Sequence, residues 1–316
     1  MFLCGDDMGN KIIKKENRMK DGVGRNVFVV CNTLLLILLS FLFIAPYLNV
    51  FAKALNSAKD TALGGVGLFP RKLSWDNFDI VLKDSGTWQG FKITILRVII
   101  GSLFSLAITY MAAYALLKKH LWGRVFFVSF LTIPMFIGGG LIANYIIFAK
   151  IGIYNTFWVY IFPSSFSFFY MVIIRTYLQS IPESLREAAR IDGASELRIM
   201  WSVMLPLSMP IVATILLWNA VGHWNDWTTT LYYINSPRLY TLQYNLQISL
   251  KETEKIQQMI AEALASGRPL GDISSDISGE SVQAAQIIVS TLPVIILYPF
   301  LQKYFIKGVT LGGVKE

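Results

Sequence analysis

The sequence predicts an all-α membrane protein of six transmembrane helices. Three observations carry that expectation: 54% of the 316 residues are hydrophobic, only 15% are charged, and the apolar residues gather in long runs. A soluble domain carries about 25% charged residues, whereas a helix crossing a bilayer needs ~20 apolar residues in succession. The runs leave too little polar sequence for a globular domain beside them.

Six runs meet the length, at residues 27–50, 93–117, 125–149, 156–174, 210–231 and 282–305. The first follows a mostly polar segment. Its ~24 residues exceed the ~7–15 of a signal-peptide core, and it has no small-residue cleavage exit, so it reads as a retained helix. The second carries Arg97 near its start, where it can snorkel outward, pair with a neighbouring helix or attract an acidic substrate. Pro134 and Gly138-Gly139-Gly140 make the third a kinked, closely packed helix, with Asn144 and Tyr145 one turn further on as candidates to line a path. Ser164, Ser165 and Ser167 interrupt the fourth with hydroxyls suited to cross-helix hydrogen bonds.

The fifth run holds Trp218-Asn219, then His223-Trp224-Asn225-Asp226-Trp227, then Tyr232-Tyr233. Polar groups at membrane depth are costly and face an interior or a wet path. Asn219, His223, Trp224 and Trp227 are therefore path candidates, with Trp224 and Trp227 on one helical face. An interfacial aromatic belt with interhelical hydrogen bonds explains the same residues.

Lys and Arg set orientation. The segment before the first run (Lys11, Lys14, Lys15, Arg18, Lys20, Arg25), the second loop (Lys118, Lys119, Arg124), the fourth loop (Arg175, Arg186, Arg190, Arg198) and the tail (Lys303, Lys307, Lys315) hold 16 of the 28 basic residues. Both termini are thus expected in the cytoplasm. The chain divides into a cytoplasmic N-terminal segment 1–26, a first transmembrane helix 27–50, an outer loop 51–92 and a core 93–316 with five transmembrane helices. That core includes a cytoplasmic loop 175–209 and a long outer loop 232–281. The net charge of +8 flanks apolar runs, which fits lipid headgroups rather than nucleic acid. Cys4, Cys31, His120 and His223 show no metal-ligand spacing.

The loop between the fourth and fifth runs is patterned. Ser180 and Glu183 have the spacing of a capping box, with Pro182 tolerated in the first turn. Leu185, Ala189 and Ile191 are expected to share one side. Gly193 can take the left-handed conformation that ends a helix, and a second short helix is expected from Ser195 to just before Pro206. Glu187, Ala188, Ala189, Gly193, Val203, Leu205 and Pro206, with the adjoining Asp192, resemble the EAA loop of ABC importer permeases of the carbohydrate, maltose-permease G-subunit-like family. The resemblance extends over roughly residues 27–316. The stretch 232–240 is similar to permeases for alginate- or pectin-derived oligosaccharides.

That resemblance implies the type I ABC importer transmembrane fold. It also implies a coupling loop (Glu187, Ala188, Ala189, Asp192, Gly193, Val203, Leu205, Pro206) seated on a separate ATPase. Expected partners are a second homologous permease, two P-loop ATPase subunits carrying ATP and Mg, an external solute-binding protein, an oligosaccharide substrate and membrane lipid. The location implied is the bacterial cytoplasmic membrane. The chain has no G-x-x-x-x-G-K-[ST] loop of its own and no catalytic triad-like set, so it is expected to bind no cofactor and to be no enzyme. The alternative is a secondary transporter or channel subunit, a class marked by inverted repeats and ion-coupling residues; no convincing repeat is visible. A membrane-bound enzyme ranks third.

Overall fold

A computed structural model describes residues 23–118, 121–265 and 279–313. The expected features at residues 1–22, at 119–120, in the Gly/Ser-rich part of the last outer loop and at Lys315 lie outside them.

Helix α1 (Val23–Ala54) is 32 residues long, about 48 Å at the usual rise of about 1.5 Å per residue, more than the ~30 Å hydrocarbon core requires. None of its most apolar window is covered by the rest of the chain, and it packs mainly on α14 (Gly279–Gly313). Between α1 and α4 (Ser85–Ala115) the outer connection is built, not loose: α2 (Ala58–Ala62) and α3 (Asp76–Lys83) fill it. Buried Asn56 organises it, accepting from the Arg71 and Lys72 amides at 2.9 and 2.8 Å and donating to Asp60 at 2.9 Å. The backbone groups of this segment thus find partners without a sheet.

The second helix begins eight residues before its apolar run. Asp84 caps it, accepting from the Gly86 and Thr87 amides at 3.1 and 2.7 Å, which extends the helix into polar sequence. Along α4, Thr94, Gly101, Ser102, Ser105 and Thr109 are buried, the small residues that let membrane helices approach closely. A Cβ on Gly101 would sit 2.6 Å from His223 Nε2, and one on Gly90 would meet Asn245 Nδ2 at 2.8 Å.

The third run is broken rather than kinked. α5 (Arg124–Phe136) and α6 (Gly140–Lys150) meet at 115°. Gly140 takes φ +74° at the break, a conformation costly for residues with a Cβ. The fourth run also differs from one continuous helix: a single 3-10 turn (Phe157–Tyr160) is followed by irregular chain and then α7 (Phe168–Ser180), which starts at the Ser167 cap and extends beyond the apolar run. Next come α8 (Glu183–Ile191), α9 (Glu196–Ile199), a π-helical turn (Met200–Met204), α10 (Leu205–Leu207), α11 (Met209–Asn225), α12 (Thr228–Tyr233) and α13 (Leu242–Ala265).

α4 packs most extensively on α11, and also on α7 and α13. One apolar core, including Tyr110, Met171, Ile174, Met204 and Ile215, joins α4, α7, the π turn and α11. Polar contacts gather at two opposite ends of α4. At one end Lys118 meets Glu196 at 3.2 Å. At the other, Asn155 Oδ1 accepts from the Asn235 and Ser236 amides, both at 2.9 Å, and Asn245 donates to the Gly86 carbonyl at 3.0 Å. Among the described residues, three helices are long and apolar enough to cross a membrane, or up to five spans if each bent pair counts as one.

Candidate coupling loop and inner cavity

α8 carries Glu187, Ala188 and Ala189 of the loop residues singled out by sequence. It is strongly two-faced: Arg186 is buried, while Leu185, Glu187, Ala188 and Ile191 are exposed. The expected apolar side is therefore reversed in part. Ala189 packs against the core, but Leu185 and Ile191 point away from it. The capping box is not formed. Ser180 belongs to α7 and donates to the Tyr177 carbonyl at 2.7 Å, Pro182 holds the cap position, and Glu183 accepts from Arg186 at 2.8 Å. The last turn of α7 takes the hydroxyl first, because that helix continues to Ser180.

Asp192 and Gly193 end α8, with Gly193 at φ +80°. The Ala194 amide donates to the Ala189 carbonyl at 3.0 Å, satisfying an end-of-helix acceptor. Ser195 then caps α9, accepting from the Arg198 amide at 3.3 Å. This helix does not stop before Pro206. The π turn bonds the Leu205 amide to the Met200 carbonyl, and Pro206, which has no N–H to satisfy, continues in α10. Val203 and Leu205 pack on the core, whereas Pro206 is exposed.

Two joints absent from the sequence reading hold this assembly. Glu196 accepts from the Tyr114 hydroxyl at 2.8 Å and from Arg190 at 2.9 Å, and pairs with Lys118. It ties α8 and α9 to the end of α4. Ser208, fully buried, sits at the 85° bend into α11; its hydroxyl donates to the Met204 carbonyl at 2.8 Å and shares a 2.9 Å hydrogen bond with Tyr110 of α4.

At the other end of α11, Arg97 is buried and bonded to both the carboxylate and, at 2.7 Å, the carbonyl of Asp226, with the Tyr160 ring 4.6 Å away. Asp226 also accepts from Thr228 Oγ1 at 2.7 Å and the Thr229 amide at 3.1 Å. Of the three roles open to Arg97, the structure shows pairing. Beside this pair lies a cavity of about 160 Å3 reached by Trp218, Asn219 and His223 of α11 and by Ser164 and Tyr170. The other path candidates lie elsewhere. Trp224 is buried, donating to the Ser290 carbonyl at 3.1 Å and edge-on to Phe91. Trp227 follows the end of α11, so it does not continue Trp224's helical face; its ring lies 5.9 Å from Lys251 Nζ. Asn144 and Tyr145 stand on α6 beyond the break, with the Tyr145 ring against Tyr154 at 4.9 Å.

Residues 109–311 match the family of the binding-protein-dependent transport system inner membrane component. The chain belongs to this family. It is a membrane permease component of a binding-protein-dependent transport system, and α8, the π turn, α10 and α11 all fall within the matched segment. Among relatives of this permease, protein LplC of Bacillus subtilis is 32% identical over 92% of the chain and 95% of its own length. The polygalacturonan/rhamnogalacturonan transport system permease YtcP of the same organism is 29% identical over 89% of the chain and 95% of its own. A solved bacterial ABC transporter involved in import of the acidic polysaccharide alginate contains a chain similar to this permease, 28% identical, with TM-score 0.79 over 90% of the chain and 98% of that one. The permease thus has the type I importer fold.

Proposed function

We propose that this permease spans the bacterial cytoplasmic membrane six times, both termini inside, as one of two permease subunits in an ATP-driven oligosaccharide importer. The observation that carries the proposal is the exposed face of α8, with Leu185, Glu187, Ala188 and Ile191 presented outward while Arg190 and Glu196 anchor its C-terminal end to α4. A separate ATPase subunit, holding ATP and Mg, seats on that face. Glu187 supplies a polar contact, Ala188 and Ala189 allow close approach, Asp192 and Gly193 form the bend, and Val203, Leu205 and Pro206 carry motion into α11.

The two polar ends support six traverses. Residues 118 and 196 meet at one end, and residues 155, 235 and 245 gather with 86 at the other. This arrangement fits connections that alternate sides, even where runs three and four are broken. Sugar as cargo is supported by relatives named for polygalacturonan, arabinooligosaccharides and maltodextrin. A second permease, two ATPases and an external solute-binding protein complete the assembly, and the long outer connections lie on the side that protein approaches.

The test is a mild-detergent purification of the tagged permease from native membranes, with partners identified by mass spectrometry. A co-purifying P-loop ATPase and second permease are expected, and uptake should require ATP and the binding protein but ignore proton and sodium gradients. Recovery of the protein alone across several detergents, with gradient-driven uptake, would replace this proposal with a secondary transporter.

A further inference from the structure

The cavity beside α11 has the chemistry of a sugar contact, and its charge state says which kind. Asn219 is nine-tenths buried at 9% exposure. Its Oδ1 accepts from Ser105 Oγ at 3.5 Å, which orients the amide, and its Nδ2 has no partner although it is buried. A buried donor without an acceptor is costly and is explained where a ligand supplies the acceptor. Next to it, Trp218 is 39% exposed near the middle of α11 and lies against the Tyr170 ring at 5.9 Å. A belt tryptophan belongs at a membrane interface, so a mid-helix indole beside an unpartnered amide asks for another explanation. An aromatic face next to a hydrogen-bond donor matches a pyranose or furanose ring, which offers a C–H face and a hydroxyl edge.

Charge narrows the ligand. The permanent cation at the cavity, Arg97, is spent on the carboxylate and carbonyl of Asp226 and on the Tyr160 face. Asp226 is in turn engaged by Thr228 and Thr229. A uronate carboxylate entering here would lose its water and gain no free guanidinium or ammonium among the described lining residues, which disfavours it. The volume of about 160 Å3 is also below the ~300–1,000 Å3 of pockets that enclose a whole ligand, so the cavity offers part of a binding site.

We propose that this permease itself contacts its cargo, and that Trp218 and Asn219 receive one uncharged sugar ring: the indole stacks on the ring and Asn219 Nδ2 donates to a hydroxyl. This rests on the oligosaccharide-importer proposal above.

The experiment uses the complete importer, purified with its own partners and placed in ATP-loaded proteoliposomes with its binding protein outside. Probes are labelled maltotriose, arabinotriose, galactotriose and trigalacturonate, each first tested for capture by the binding protein. For a captured neutral probe, Trp218→Ala and Asn219→Ala should each lower uptake at subsaturating sugar about tenfold, while Trp218→Phe stays within about twofold. Trp218→Leu replaces Trp218→Ala if the latter fails to assemble. Wild-type uptake in both Trp218→Leu and Asn219→Ala would overturn the inference and leave the importer proposal standing. Capture and uptake of trigalacturonate alone, lost in Asn219→Ala, would overturn the assignment of an uncharged ring. Failure of the wild type to assemble with any ATPase would overturn the importer proposal itself.

Discussion

Replacing Gly193 isolates the geometry of the coupling loop from its chemistry. Its φ is +80°, and no atom lies within 4 Å of where a Cβ would stand. Gly193→Ala therefore meets no steric clash and costs only the left-handed backbone, about 1–2 kcal/mol. If that cost falls on the conformation that seats α8, apparent affinity for the ATPase drops about 5–30-fold. Gly193→Pro is harsher. Proline holds φ near about −65° and removes the Gly193 amide that donates to the Arg190 carbonyl at 2.9 Å, so the turn must open. Titrating purified ATPase onto detergent-solubilised permease should show a graded series: wild type tightest, Gly193→Ala weaker, Gly193→Pro with no measurable binding. The amount of each variant in the membrane fraction should be equal, because the site lies outside the long apolar runs. Normal transport by Gly193→Pro would refute the assignment of this turn to coupling.

Three further outcomes follow from the contacts. Glu196→Gln should keep the size of the joint but weaken its bonds to Tyr114, Arg190 and Lys118; the partly exposed ion pairs are worth only about 0–1 kcal/mol, so ATPase affinity should fall about threefold to tenfold, with faster hydrogen exchange over residues 183–199. Asp226→Asn leaves Arg97 buried beside a neutral group, and removing one partner of a buried pair costs about 3–5 kcal/mol; thermal unfolding in detergent should show a large loss, and the paired change Arg97→Met with Asp226→Asn should recover most of it. Asp84 is held below its ordinary 3.8: burial pushes it up, but hydrogen bonds from the Thr87 hydroxyl and the Gly86 and Thr87 amides outweigh that. Its contribution is thus full above that ordinary value and lost as pH falls through the lowered one. The difference in melting temperature between wild type and Asp84→Asn should be present at neutral pH, shrink as pH falls below the ordinary value and vanish once pH is below the lowered one.

Local codes were legible, and long-range pairs were not. Gly193 and Ser195 encode a stop and a start within a few residues, so the break between α8 and α9 could be placed from sequence. Ser180 had two local solutions, capping α8 or closing α7, and the burial of Leu178 in the core extended α7 and settled it. Pro134 and the three glycines at 138–140 announced a kink, but an angle of 115° depends on what α5 and α6 pack against. Trp224 and Trp227 shared a face only if the helix continued, and it ends at Asn225. Arg97 and Asp226 are separated by 129 positions, and nothing local in either run names the other.

The two joints at Glu196 and Ser208 explain how one loop can act on a distant cavity. α8 alone would be a lever with a free pivot, because a helix of nine residues ending at a glycine transmits little. Glu196 fixes its far end to Tyr114 and Lys118, so force applied to the exposed face reaches the end of α4. The π turn and α10 then lead into an 85° bend at Ser208, which Tyr110 holds from the same helix α4. α4 and α11 pack together along their lengths, and α11 carries Trp218, Asn219 and His223 at the cavity. Packed helices move between discrete arrangements rather than deforming smoothly. In the proposed importer, a shift of α8 therefore tilts α11 about Ser208 and changes the cavity wall. Tyr110→Phe separates this from simple docking: loss of the single hydroxyl contact should leave ATPase binding intact while reducing sugar uptake per ATP hydrolysed, and equal loss of both would place Tyr110 in the docking surface instead.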